Sequence, residues 1–141
     1  MPRSRVFLEQ HFEVRPSPVP GAGMGLFSLV SIKPGDTLGY YTGKVITDKQ
    51  ADRKPYLDSL YLLYICKNHW VYGEGELANY TRFINHDGGN PNAELIVSTR
   101  WKTARFNALR EIHPGDEIFF DYGADYWDAL GVTPNSVTTA A

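Results

Sequence analysis

Turn residues punctuate this chain so densely that its apolar segments are left short. Thirteen Gly and nine Pro fall in 141 residues. Such residues set the backbone angles of turns and interrupt regular hydrogen bonding. Between residues 15 and 25, RPSPVPGAGMG carries three prolines and three glycines. An Ile-x-Pro-Gly-Asp turn occurs at residues 32–36 and again at 112–116. The repeat is too brief to indicate duplication. Residues 5–14 (RVFLEQHFEV) and 37–46 (TLGYYTGKVI) each read as a strand, the second rich in β-formers. LFSLVSI is a short apolar segment ended by KPGD. YLLYICKNHWVYG reads as strand, turn, strand, and AELIVSTRWKTARFNALREI as two further strands. EIFFDYG closes the series. TDKQADRKPYLDSL is polar, and Pro55 limits it to a short helix or loop. ELANYTRFINH has room for one helical turn, and NSVTTAA at the end is small, polar and frayed. The pattern implies a mainly β fold with short helices and no βαβ alternation.

The chain is long enough for one domain with a moderate core. Hydrophobic residues make up 43% of it, which argues against disorder. Net charge is −2, so no basic excess draws it to nucleic acid. A single cysteine, Cys66, excludes an internal disulfide and a cysteine-based zinc cluster. Its apolar setting suits a half-buried core thiol. The N-terminal segment lacks a signal-peptide core, and no run has the length of a membrane span. The expectation is an intracellular, soluble protein.

Four stretches carry candidate chemistry. GAGMG (Gly21, Gly23, Gly25) lacks the strand-before and long-helix-after context of a dinucleotide fingerprint. It is either a glycine turn or a backbone surface that a ligand approaches closely. Asn85 and His86, in RFINHDGGNPNAEL, are either turn residues satisfying local backbone or groups that bind a polar ligand. His11, His69, His86 and His113 have no zinc-like spacing. FFDYGADYW gathers Phe119, Phe120, Tyr122, Tyr126 and Trp127. These are either core or the wall of a channel for an aliphatic stem with a cationic head, such as lysine. Tyr40 and Tyr41 are candidates for more of that wall. Asp116 and Glu117 sit in a turn and read as solvated. Neither Gly-x-Ser-x-Gly nor a Cys-His context for a nucleophile is present.

Taken together, these pieces resemble the SET-domain protein lysine methyltransferases, of the minimal viral or microbial type. GAGMGLFS resembles the family's Gly-x-Gly-Leu-Phe motif. YYTGKVI is similar to Tyr-x-Gly-Glu-x-Ile, with Lys44 in place of Glu. RFINHDGGNPNAEL is similar to Arg-Phe-Ile-Asn-His-Ser-Cys-x-Pro-Asn. ALREIHPGDEIFFDYG resembles the closing Ile-x-x-Gly-Glu-Glu-Leu-x-Phe-Asp-Tyr-Gly. The four occur in the family's order, and the likeness runs from residue 5 to 128.

The resemblance implies a β-clip-like SET fold over residues 1–128, with a partly flexible tail at 129–141. Small sheets would surround a knot-like threading that brings the Asn-His and Asp-Tyr-Gly segments together. It implies S-adenosylmethionine as methyl donor, S-adenosylhomocysteine as product and a protein lysine as acceptor. A histone tail is the family default among substrates. By resemblance Gly23, Met24 and Gly25 present backbone to the cofactor, Asn85 and His86 hold its polar groups, and Tyr61 and Arg82 flank it. Tyr122 stands where the methyl passes, Tyr41 lines the lysine channel, and Tyr126 and Trp127 close the site as a lid. Phe120 matches a position where Phe accompanies di- or trimethylation. Some minimal members pair as homodimers. Two departures stand out: Asp87–Asn90 makes the loop one residue longer, and the flanking cysteine clusters are missing. The alternatives are a catalytically silent module of the same fold that binds a peptide, and a β-rich structural domain without a ligand.

Overall fold

The computed structural model describes residues 4–87, 89–122 and Tyr126. Strands dominate, and helical structure among the described residues is confined to single turns. β1 (Phe12–Pro16) and β2 (Met24–Ser28) form a two-stranded antiparallel sheet. β4 (Lys44–Ile46), β5 (Leu62–Cys66) and β6 (His69–Tyr72) form a second, in the order β4-β6-β5. The third joins β3 (Thr37–Tyr40), β7 (Asn85–His86), β8 (Ala93–Ser98), β9 (Thr103–Ala108) and β10 (Phe119–Tyr122) in the order β3-β9-β8-β10-β7. α1 (Asp48–Ala51) starts at a capping box in which Thr47 and Gln50 satisfy each other's backbone N–H groups. Two 3-10 turns lie at Glu9–His11 and Tyr80–Phe83.

Alternation explains the central hairpin. Ala104, Phe106 and Ala108 of β9 are buried while their neighbours are half-exposed, and Ala93 and Leu95 of β8 match them across the register. Leu26, Ile32, Leu38, Ile65, Leu95, Ile112 and Ile118 have almost no exposed surface. Each contributes roughly 1.5–3 kcal/mol by burial. The two Ile-x-Pro-Gly-Asp turns meet: Ile32 and Ile112 exchange backbone hydrogen bonds of 2.8 and 2.9 Å. In each turn the aspartate accepts from the backbone N–H three residues earlier, Lys33 for Asp36 and His113 for Asp116. The repeated motif is therefore a matched pair of corners.

Two strand expectations need correction. Residues 5–14 do not form one strand: Val6 makes an isolated bridge to Thr37, a 3-10 turn follows, and β1 begins only at Phe12. Residues 37–46 split between two sheets, β3 pairing with β9 and β4 with β6. The break falls at Tyr41–Gly43, where the Tyr41 ring leaves the strand for a cavity lining. β-propensity is high on both sides of the break, so it carries no signal of a change of sheet. No helix among the described residues is long and apolar enough to cross a membrane.

Candidate active site

β10 lies between β8 and β7 and runs parallel to both. The register sets Phe119 beside Asn85, Phe120 beside His86, and Tyr122 beside Leu95. Two segments more than thirty residues apart thus share one cavity of about 400 Å³. Gly21 to Met24 form its rim, Leu60 to Leu63 one wall, and Arg82 to His86 the segment opposite. Tyr41, Leu95, Phe106, Phe120 and Tyr122 line the rest.

The segment carrying Arg82 is placed by its neighbours upstream. Asn79 caps the 3-10 turn by accepting from the Thr81 N–H, and donates through Nδ2 to the Tyr40 carbonyl. The Tyr80 hydroxyl donates to the Leu38 carbonyl at 2.6 Å. The turn is so pinned to β3, and the Arg82 side chain emerges between aromatic rings. Its guanidinium carbon lies 4.8 Å from the ring centres of both Tyr61 and Phe83. Its Nε is buried and has no hydrogen-bond partner among the described residues. A buried cationic donor without an acceptor is costly unless an anion meets it.

Tyr41 and Tyr122 are held differently. The Tyr41 hydroxyl donates to the Tyr61 carbonyl at 2.6 Å. Its oxygen also lies over Gly73, where any Cβ would collide with it. Burial first, then neighbouring Tyr122, raises the Tyr41 phenol above its ordinary range. Burial pushes the Tyr122 phenol up to about 12. Tyr122 packs in a ring cluster: stacked on Tyr126 at 4.2 Å, tilted to His86 at 5.6 Å, and edge-on to Phe120 at 5.0 Å. Phe120 also meets His86 and Phe106 edge-on. His86 Nε2 lies 3.6 Å from Asp121 Oδ1. Tyr126 is buried, and burial followed by Tyr122 raises its phenol also.

The structure brings together most of the residues singled out from the sequence. Gly23, Met24, Tyr41, Tyr61, Arg82, Asn85, His86, Phe120 and Tyr122 all line the cavity. Gly25 does not: it is buried beneath the rim, and a Cβ there would run into the Glu117 carboxylate. The missing Cβ leaves room for that carboxylate. Tyr40 does not join the wall either; it is exposed on β3 opposite Arg105. Tyr126 sits behind Tyr122. Trp127 and the tail at 129–141 lie outside the described residues.

Glu117 corrects the reading of a solvated turn acid. It is half-buried and accepts from Ser17 Oγ at 2.9 Å and from Asn85 Nδ2 at 3.1 Å. Asn92 was passed over in the sequence. It is buried, donates to the Glu117 carbonyl and accepts from the Phe119 N–H, stitching β10 to the loop before β8. The Pro-Asn of the 82–95 stretch was its available signal. Phe106 was also missed, because alternation marks it as inward-facing without saying what it faces.

The SET domain family model matches residues 23–123. That span is well over half of the 141 residues, and the chain belongs to the SET-domain family. It is also similar to the protein named histone-lysine N-methyltransferase EZH2 of Chaetomium thermophilum, at 26% identity over 122 residues. The match covers 78% of this chain and 8% of that relative, so the chain spans only a small part of the relative's length.

Proposed function

We propose that this chain transfers methyl groups from S-adenosylmethionine to the side-chain amine of a protein lysine, leaving S-adenosylhomocysteine. The observation that carries the reading is the parallel pairing of β7 with β10, which puts Tyr122 and Phe120 into the same cavity as Arg82, Asn85 and His86. The residues present fit the cofactor. The buried Arg82 Nε lacks an acceptor, and the cofactor's amino-acid end carries a carboxylate. Gly23 and Met24 at the rim, with Tyr61, Asn85 and His86, would hold the remainder. When bound, S-adenosylmethionine supplies an electrophilic methyl group on a sulfonium sulfur.

The protein's part is alignment and control of one proton. A lysine amine must be neutral to attack, and its ordinary pKa is ~10.4. Phe106, Phe120 and Leu95 disfavour the charged form by excluding water, and the Arg82 guanidinium disfavours it by like charge. Among the described residues lining the cavity there is no Asp or Glu to stabilise the ammonium. With its phenol pushed up to about 12, Tyr122 stays protonated at neutral pH and acts through hydrogen bonding, not as a base. The Tyr41 hydroxyl donates its hydrogen bond to the Tyr61 carbonyl. Its oxygen is left as an acceptor, suited to take an amine N–H and so turn the lone pair.

Phe120 brings no hydroxyl into the cavity, which favours di- or trimethylation. A histone tail is the first substrate to test. The proposal also carries the family's knot-like threading, a domain ending near residue 128, a lid that includes Tyr126 and Trp127, and pairing of two copies. Calorimetry with S-adenosylmethionine, then a radiolabelled methyl assay on histones and a cell lysate, tests it. Heat of binding and labelled lysine are expected. The absence of binding heat, or of any labelled lysine, would refute the reading.

A further inference from the structure

We propose that Glu117 is a positioning residue for the glycine rim of the cavity. It holds the rim in register with β7 and thereby sets cofactor affinity. The inference rests on the methyl-donor reading above.

The rim is the loop from Ser17 to Gly23, between β1 and β2, with Met24 at the start of β2. Its base is closed by the Ser17 N–H donating to the Gly23 carbonyl at 2.8 Å. Beyond that it has two short internal bonds, Val19 N–H to Ser17 Oγ and Ala22 N–H to the Val19 carbonyl. Two side chains tie it to the rest of the cavity, Asn85 at its end and the Glu117 carboxylate, which joins its start to Asn85. Glu117 Oε1 accepts from Ser17 Oγ at the start of the loop. Glu117 Oε2 accepts from Asn85 Nδ2, and the same amide nitrogen donates to the Met24 carbonyl at the end of the loop. Ser17, Glu117, Asn85 and Met24 therefore form a closed circuit across both ends of the rim. Two acceptor atoms are needed at its centre because both incoming groups are donors. An ionised carboxylate supplies them, and such bonds are about twice as strong as neutral ones.

The backbone delivers Glu117 to this place independently of its side chain. Phe27 and Glu117 form an antiparallel bridge. The Ser28 N–H donates to the Asp116 carbonyl and the Ile118 N–H to the Leu26 carbonyl, at 2.9 and 2.8 Å. The side chain then crosses over Gly25, the position at which a Cβ would block it. Glycine at 25 and glutamate at 117 are thus a matched pair. Removing the carboxylate leaves these backbone bonds in place, so the variant keeps its fold while the rim loses its tie at Ser17 and the brace on Asn85.

The test pairs binding with a readout that needs no cofactor. Glu117→Ala is expected to weaken S-adenosylmethionine binding by about tenfold in calorimetry, the scale of losing charge-assisted hydrogen bonds. In the methyl assay KM for the cofactor rises by a similar factor while kcat at saturation changes less than twofold. Glu117→Gln recovers most of the loss, because its amide can turn oxygen to Asn85 and nitrogen to Ser17 Oγ. Without cofactor, hydrogen exchange at Ser17, Val19 and Ala22 speeds up in Glu117→Ala. Ser17→Ala, which leaves β2 and β10 untouched, reproduces part of both effects and serves if Glu117→Ala misfolds. Unchanged affinity and exchange in folded Glu117→Ala, or in Ser17→Ala, overturns the inference. Wild-type protein that binds no S-adenosylmethionine overturns the methyl-donor reading and the assigned effect on affinity with it. Faster rim exchange in that case still separates a real tether from a mistaken ligand.

Discussion

On one side of the cavity Phe120 and Tyr122 ride on β10, between two parallel neighbours in a five-stranded sheet. On the other, Gly21 to Gly23 belong to the loop joining β1 to β2, and a side-chain circuit through Glu117 ties that loop to β7. The first wall is over-determined: ladder bonds, ring packing and burial all act on the same residues. The second is held by a few loop bonds and one side-chain circuit, and its exposed glycines pack against little. A rigid wall suits groups that must align reacting atoms, since small misplacements there are costly in rate. An adjustable rim suits binding and release of a ligand. Arg82 stands between the two regimes. Its backbone turn is pinned to β3, while its buried Nε has no hydrogen-bond partner among the described residues.

The largest effect expected from breaking the rigid wall is at Tyr122. Tyr122→Phe should lose at least about a hundredfold in turnover, the scale of removing one well-placed donor. Cofactor affinity by calorimetry should stay within a few-fold; near-normal turnover would take Tyr122 out of the mechanism. Next comes Gly73→Ala. The added methyl would push against the Tyr41 hydroxyl, break its bond to Tyr61 and move the channel wall. Turnover should fall by about tenfold or more, with circular dichroism and cofactor affinity little changed. Equal loss of affinity would show that Tyr41 belongs to the rim side of the comparison.

Arg82→Met keeps the stem packed between Tyr61 and Phe83 but removes the charge. It should weaken S-adenosylmethionine binding by about tenfold and raise stability toward denaturant, because the unpartnered buried donor is gone. Unchanged affinity would remove Arg82 from the cofactor site. Phe120→Tyr sharpens the comparison without breaking it. Mass spectrometry should show products shifted toward monomethyl-lysine, at similar overall turnover; an unchanged distribution would contradict the role given to Phe120.

The smallest effect is confined to alkaline solution. The Tyr122 phenol rises from 10.0 to about 12 in the folded chain, and burial raises Tyr41, Tyr80 and Tyr126 in the same direction. The folded state then holds more protons than the unfolded state once pH passes about 10. Stability from this source is fully present below pH 10 and is lost as pH rises through about 12. Denaturant midpoints at pH 9 and 11 test it, with phenolate absorbance as the internal check. A midpoint that does not fall would mean these rings meet water.

Much of this molecule is legible along the chain because its signals are local. The hairpin of β8 and β9, the β5–β6 pair, the single-turn helices and the Pro-Gly corners each follow from a few adjacent residues. So does the ring cluster at FFDY, where the motif itself names the side chains. Glu117 shows where such reading stops. Beside Asp116 in a Pro-Gly turn it looks solvated, and its neighbours in sequence say nothing of Ser17, a hundred residues away. Gly25 is legible only in part: its neighbours in sequence do not show that the Glu117 carboxylate lies against it. The break at Tyr41–Gly43 is invisible too, since strand propensity does not specify a partner strand.

By itself, then, the sequence determined that short strands and tight turns would build this domain, and which residue types would be on hand for chemistry. Periodicity and turn preference are properties of neighbouring residues, and they survive without a fold. Only the tertiary structure decided that β10 would lie between β7 and β8, that Arg82 Nε would be buried with no partner among the described residues, and that a glutamate would tie the glycine rim to Asn85. Those facts depend on which distant backbone groups satisfy one another as the sheets close. That choice is made by burial and hydrogen bonding across the whole chain, not by any stretch of it.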